Sequence, residues 1–261
     1  MHTDLSISIV VYRDAEAAER AVRSIEEQTA VSVTKALYVI DNGAAEYAGD
    51  REGFRAFLRQ YPDVTYIAAP ENLGYGAANN LVLPLLDSDF HAVLNPDIEL
   101  REDAFSSILD FMRQKEDCGM VIPRLTDEEG RLQKAYRREL TVADLVIRYL
   151  FPNGFRKRQD RHTMQDMDYT QPFCVPFGQG SFLVIRTELF RKLKGFDERF
   201  FLYMEDADLC RRVNEISSLL YFPGATVIHG WERSSYRDKT LFRIHLRSMR
   251  QYFSKWGWKL F

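Results

Sequence analysis

Residues 5–43, LSISIVVYRDAEAAERAVRSIEEQTAVSVTKALYVIDNG, decide the fold. Leu5 to Tyr12 is a β-branched run of strand length. Asp14 then stands as N-cap to the amphipathic AEAAERAVRSIEEQ, so a helix follows the strand. Lys35 to Asp41 is a second buried strand, and it ends on the turn signal Asp41-Asn42-Gly43 with a carboxylate at its carboxyl edge. Strand, helix and strand at this spacing is the unit of a parallel sheet with right-handed crossovers.

The alternation continues outward from this unit. A helix through Phe54, Phe57 and Leu58, a strand Val64 to Ala68, the loop Glu71 to Gly76, a helix Ala77 to Leu86 and a strand Phe90 to Leu94 complete the first hundred residues. The fold class is α/β, with a mostly parallel Rossmann-like sheet flanked by helices. In such sheets ligands lie beyond the carboxyl ends of the strands, where Asp41, the loop with Asn72 and Gly74, and Asn95-Pro96-Asp97 should gather.

The second half is less regular. A helix through Phe105, Ile108 and Met112 precedes a strand Gly119 to Ile122 and a turn at Asp127 to Gly130. Residues 151–176 read as a basic connection, too long for an ordinary connector and so a functional or a mobile loop. Gly178-Gln179-Gly180-Ser181 leads into a strand Phe182 to Ile185, and two strands, Leu219 to Phe222 and Ala225 to Ile228, end at His229.

Composition narrows the class. The 261 residues are 46% hydrophobic and 28% charged, enough for one substantial core or for one core with a subdomain. A formal net charge of −3 argues against a general nucleic-acid binder. Cys118, Cys174 and Cys210 form neither pairs nor a metal-ligand spacing, which suits a reducing compartment. No apolar run approaches the roughly 20 residues that span a bilayer, so the expected location is the cytoplasm, or its membrane surface.

Phe200 to Arg212, FFLYMEDADLCRR, places Glu205, Asp206 and Asp208 at a helix start. Acidic residues in a first turn are commonly caps, favoured by unpaired N–H groups and the macrodipole. Asn95-Pro96-Asp97 is by itself a turn, yet a carboxylate at a sheet's ligand edge also suits Mg²⁺ or Mn²⁺ shared with phosphate oxygens. His229 ends a strand before a polar loop, and its imidazole suits Mn²⁺ better than Mg²⁺. The spacing around Gly74 and Gly76 matches neither a P-loop nor a dinucleotide fingerprint. From Leu241 to Phe261 cations interleave with aromatic residues; this helix either meets a membrane headgroup layer or packs its aromatic face on the core.

Seven motifs in order, VVY (10–12), VIDNG (39–43), ENLGYGAANN (71–80), LNPDIEL (94–100), GQGSFLVIR (178–186), GFDERFFLYMEDADLCRR (195–212) and IHGWERSS (228–235), resemble glycosyltransferase family 2. Within it, the chain is similar to bacterial rhamnosyltransferase-like members that build O-antigen, capsule and cell-wall polysaccharides. The resemblance implies a GT-A fold, a nucleotide-diphosphate sugar donor and inversion at the anomeric carbon. It implies a donor-binding half over 1–100, an acceptor and catalytic half over 101–237, and an appended helix over 238–261. Val11 and Tyr12 would lie along base and ribose, Asp41 would meet the pyrimidine, and Asn72, Gly74 and Asn79 would face the donor. Gly180 and Ser181 would lie under the donor sugar or the acceptor.

Asn95-Pro96-Asp97 takes the place of the family's DXD motif. Asn95 replaces the first carboxylate, which leaves Asp97 as the main ligand of Mn²⁺ or Mg²⁺, with His229 completing the metal or diphosphate site. Asp206 matches the catalytic base, with Glu205 either raising its pKa or binding acceptor hydroxyls. The QxxRW motif of processive members is absent, the nearest segment being Arg233-Ser234-Ser235. Transfer of one or a few sugars is expected, most simply L-rhamnose from dTDP-rhamnose to a polyprenyl-diphosphate-linked or other glycan acceptor. The alternatives are a UDP-hexose donor and a non-catalytic scaffold that binds nucleotide sugar or membrane.

Overall fold

The computed structural model describes residues 2–43, 51–230 and 239–261. β1 (Thr3–Val11) leads to α1 (Ala15–Gln28), whose N-terminus is capped by the Asp14 carboxylate, 2.9 Å from the Ala17 nitrogen. β2 (Lys35–Asp41), α2 (Arg51–Leu58), β3 (Val64–Ala68), α3 (Tyr75–Asn80) and β4 (Ser88–Leu94) complete the alternating half. β1 is buried along both faces from Leu5 to Val11, as a central strand covered by helices on either side must be.

β5 (Ile98–Glu99), α4 (Ala104–Gln114), β6 (Cys118–Thr126), β7 (Tyr136–Arg137), α5 (Val142–Leu150) and α6 (Arg156–His162) follow. After them come β8 (Phe173–Cys174), β9 (Phe177–Gly178), β10 (Phe182–Arg186), α7 (Thr187–Lys192), α8 (Glu205–Asn214), β11 (Ser218–His229) and α9 (Lys239–Trp256). One sheet takes the order β3-β2-β1-β4-β10-β6-β11-β5, with β8 also paired to β11. β3, β2, β1 and β4 are mutually parallel, and β10 runs against both of its neighbours. This is the mainly parallel sheet that the resemblance implies, continuous across residue 100.

The reversed strand positions the site. Because β10 is antiparallel to β4, the start of one meets the end of the other: Phe182 pairs with Leu94, and the Asn95 N–H donates to the Ser181 carbonyl at 2.8 Å. Gly180-Ser181 and Asn95-Pro96-Asp97, far apart in sequence, thereby share one edge.

Three local expectations are corrected. The helix expected over Ala77 to Leu86 stops at Asn80, and a 3₁₀ turn at Leu83–Leu85 replaces its second half, where Pro84 has no N–H to continue an α-helix. The loop 151–176 contains α6 and β8, and it is anchored by the Arg138–Asp166 ion pair and by the Tyr221 hydroxyl donating to the Tyr169 carbonyl. The two strands expected over 219–228 are one strand, β11, with a register shift against β6 between Phe222 and Thr226.

α9 packs its aromatic face inward, with Tyr252 and Phe253 buried. Its Ser248 hydroxyl donates to the Leu202 carbonyl (2.8 Å), its His245 ring stacks on Tyr203, and its Trp256 indole donates to Asp208 (2.8 Å). Asp208 is fully buried and also meets Lys255 and Arg212, so this third carboxylate of the acidic stretch is the structural anchor of the C-terminal helix.

Candidate active site

Glu205 and Asp206 open α8 immediately after two consecutive left-handed residues, Tyr203 (φ 69°) and Met204 (φ 70°). Neither is glycine, so this backbone is costly and must be held by its surroundings. The Ser248 and His245 contacts of α9 hold one side of it, and on the other the Tyr75 N–H donates to the Phe201 carbonyl at 2.9 Å. Asp206 accepts from the Gly180 N–H (3.1 Å) and from the Ala207 N–H (2.8 Å). Gly180 in turn receives the Tyr75 hydroxyl on its carbonyl.

A continuous set of contacts therefore runs from Asp206 through Gly180 and Ser181 to Asn95 and on to His229. His229 Nε2 lies 3.5 Å from Asp97 Oδ2 and 3.5 Å from Asn95 Nδ2. The other side of the imidazole is fixed by buried Gln133, whose amide nitrogen donates to the His229 carbonyl (2.7 Å) while its oxygen faces Nδ1 (2.8 Å). An amide oxygen only accepts, so Nδ1 carries the proton and the Nε2 lone pair points at the Asp97 carboxylate. Two electron-rich atoms face each other there, a donor set suited to a divalent cation that draws its remaining ligands from phosphate and water. Among the described residues no group of three His, Cys, Asp or Glu converges as a metal cage.

Burial controls the carboxylates. Glu205 is 6% exposed, and its Oε2 has no hydrogen-bond partner among the described residues. Desolvation, reinforced by the neighbouring Asp206 charge, lifts its pKa well above the ordinary carboxylate range. Desolvation also raises Asp206, opposed by its two backbone hydrogen bonds and by the buried Arg137 guanidinium on β7. Burial lowers the pKa of His229 while Asp97 works against it.

Several residues expected at the donor have protein partners of their own. Asn79 is fully buried: its carbonyl oxygen accepts from Ser8 (2.7 Å) and its amide reaches the Tyr75 carbonyl, so it ties α3 to β1. Val11 and Ser181 are buried, at 4% and 1% exposure; the Ser181 carbonyl accepts from Asn95, and its hydroxyl has no hydrogen-bond partner among the described residues. Gly74 is needed for protein packing, since a Cβ there would stand 2.0 Å from the Phe201 oxygen at φ +80°. Asn72 accepts from the Asn42 amide and from the Gly74 N–H, which makes it a turn residue at the rim.

Tyr12 and Asp41 do sit at the sheet's ligand edge, but Asp41 is already engaged by Arg51 (2.9 Å), the Tyr66 hydroxyl (2.6 Å) and the Gly43 N–H. A carboxylate accepts about four hydrogen bonds, and Asp41 Oδ1, with the Gly43 N–H alone on it among the described residues, keeps one acceptor position for a further donor. Asn42 and Arg137, absent from the sequence expectation, also belong to the site. Asn42 latches the 72–74 loop to the end of β2 by accepting from the Leu73 N–H and donating to Asn72. Asn42 was legible in its adjacency to Asp41, but nothing in the sequence around Gln133 or Arg137 signalled proximity to the site. His229 is described; Arg233-Ser234-Ser235 lies outside the described residues.

The sequence profile described as Glycosyl transferase family 2 matches residues 6–193. The chain belongs to glycosyltransferase family 2. This family 2 transferase is 28% identical over 248 residues to the N-acetylglucosaminyl-diphospho-decaprenol L-rhamnosyltransferase of Mycobacterium tuberculosis, covering 90% of this chain and 78% of that protein. It is 26% identical to rhamnosyltransferase WbbL of Escherichia coli K12, over 77% of each chain. Among solved structures it resembles the mannosyltransferase PcManGT of Pyrobaculum calidifontis in complex with GDP-Man and Mn²⁺, with a TM-score of 0.67 at 15% identity. That alignment takes in 98% of this glycosyltransferase and 64% of the Pyrobaculum chain.

Proposed function

We propose that this glycosyltransferase moves L-rhamnose from dTDP-rhamnose to a sugar carried on a polyprenyl diphosphate, in the assembly of a cell-surface polysaccharide such as O-antigen, capsule or cell wall. The observation that carries the reading is the 28% identity, along 90% of the chain, with a rhamnosyltransferase whose named acceptor is a GlcNAc-diphospho-decaprenol. Residues 1–100 form the donor side and 101–237 the acceptor side. The reaction takes place at the cytoplasmic face of the membrane, with the segment 238–261, which contains α9, as the peripheral contact.

The chemistry follows from the site. Asp206, held by the Gly180 and Ala207 N–H groups, accepts the proton of the acceptor hydroxyl as that oxygen attacks the anomeric carbon. Burial and the Asp206 charge both raise the Glu205 pKa, which disfavours a second negative charge beside Asp206 and leaves that residue as the base. Asp97 and His229, with Gln133 fixing the imidazole, would hold Mn²⁺ or Mg²⁺, which supplies Lewis-acid stabilisation of the departing diphosphate. Asn95 borders the same site, and Tyr12 and Asp41 border the nucleoside.

The test is transfer of rhamnose from dTDP-rhamnose to a short-chain GlcNAc-diphosphate lipid by purified protein, with Asp206→Asn alongside. Loss of about 10²–10⁴-fold in kcat with dTDP affinity intact is expected. Full activity of Asp206→Asn refutes the base, and preference for a UDP-hexose over dTDP-rhamnose refutes the donor. Binding of nucleotide sugar without turnover of any donor would favour a scaffold.

A further inference from the structure

α5 and α9 lie side by side and antiparallel. The Tyr149 hydroxyl is 2.7 Å from His245 Nδ1 and its ring meets Phe242 edge-on, while at the other end the Val142 and Ala143 N–H groups donate to the carbonyls of Lys259 and Leu260. The end marked by Tyr149 and Phe242 is apolar and uncovered. Val146, Leu150 and Phe151 on the α5 side, Phe155 just beyond, and Phe242 and Leu246 on α9 are all exposed, Leu150 at 68% and Phe155 at 61%. Phe155 is held outward by a left-handed backbone (φ 51°), an unfavourable conformation for a phenylalanine, and its ring meets Phe151 edge-on. Single exposed apolar residues need no explanation, but six on two packed helices and the turn between α5 and α6 do.

Charge identifies what covers them. The 23 residues from Lys239 to Phe261 hold six Lys and Arg and no Asp or Glu, in a chain of formal net charge −3. Arg243, Arg247 and Arg250 stand on the exposed side of α9 next to Phe242 and Leu246, and no residue pairs with them among the described residues. Arg156 and Lys157 are likewise exposed immediately after Phe155. Apolar side chains ringed by unpaired cations match an anionic lipid surface: the apolar groups enter the headgroup boundary and the cations meet lipid phosphates. A second copy of the chain would set like charges against each other.

We infer that the exposed face formed by the α5–α6 turn and the N-terminal half of α9 docks this enzyme on an anionic phospholipid bilayer. The same helix carries, on its buried face, the contacts that hold the catalytic turn, His245 on Tyr203 and Ser248 on Leu202. The inference rests on the lipid-carried acceptor proposed above, and it widens the membrane contact from one helix to two elements.

The test is sedimentation of the full chain with vesicles in the absence of donor and acceptor. Vesicles of phosphatidylcholine with about a third phosphatidylglycerol should bind it, and pure phosphatidylcholine should bind it at least tenfold more weakly. The variant Arg243→Gln/Arg247→Gln/Arg250→Gln should lose about fivefold per cation, and Leu150→Ser/Phe151→Ser/Phe155→Ser should lose more than tenfold at any salt concentration. Independently, Leu150→Trp should be quenched by brominated lipid. Absence of binding to the anionic vesicles, binding that survives both variants, or self-association through this face without lipid binding overturns the inference. Transfer to a water-soluble acceptor is read in the same variants: if it persists while vesicle binding was never present, docking fails and the proposed function stands.

Discussion

A methyl group at Gly180 should disable the site without touching a charged residue. A Cβ built there lies 2.9 Å from Asp206 Cβ, 3.6 Å from its Oδ2 and 3.7 Å from its Cγ. Carbon atoms in contact prefer about 3.5 Å or more, so in Gly180→Ala the Asp206 side chain must retreat by about 0.6 Å. The Gly180 N–H to Oδ2 bond, 3.1 Å long, has little room to lengthen before it is lost. Overpacking of this kind costs about 1–3 kcal/mol of stability, and misplacing a reacting group by about 1 Å costs about 10²-fold in rate. Losing a backbone donor should also raise the Asp206 pKa further and move the acid limb of the rate profile to higher pH. The assay is kcat against pH for rhamnosyl transfer, with nucleotide affinity and thermal melting measured in parallel. Gly130→Ala is the control: that glycine is left-handed (φ +77°) with nothing near it, so its replacement should affect melting alone. A Gly180→Ala enzyme within threefold of wild-type kcat, with an unmoved acid limb, would refute the assignment of Asp206 as a base positioned by Gly180.

Three further outcomes are expected. Gln133→Leu removes the acceptor that keeps the proton on His229 Nδ1, and should weaken Mn²⁺-dependent nucleotide binding about 10–100-fold by calorimetry while binding in chelator is unchanged. Glu205 has a raised folded pKa, so its contribution to stability is complete below the usual glutamate pKa and is lost as pH rises through the folded value; Glu205→Gln should flatten the decline in melting temperature as pH rises above the ordinary glutamate range. Lys255→Met leaves the buried Asp208 with Arg212 and Trp256 alone, and should cost on the order of 3 kcal/mol in urea unfolding, with loss of transfer as the Tyr203–Met204 turn is released.

The strand–helix alternation of residues 5–94 was legible because each signal is local. Period, cap and turn residues act within a few positions, and Asp14 caps α1 as its spacing predicts. The acidic pair at the start of α8 and the strand-terminal Asp97 and His229 were legible for the same reason, as residue types at element ends. The meeting of Asp206 with Gly180, and of His229 with Asp97, depends on a strand that runs backward between β4 and β6; pairing across the sheet has no local signature.

The sequence by itself determined the strand–helix alternation of the first half, the family and which side chains could do chemistry. Only the tertiary structure decided which of them meet. It placed Asn79 in the core, where a buried amide must be fully hydrogen-bonded, and gave the space beside Gly74 to the Phe201 carbonyl. It also recruited Gln133 and Arg137, whose roles exist only through neighbours distant in sequence. It turned the third carboxylate, Asp208, from a candidate into the anchor of α9, because a buried charge persists only where cations and donors are packed against it.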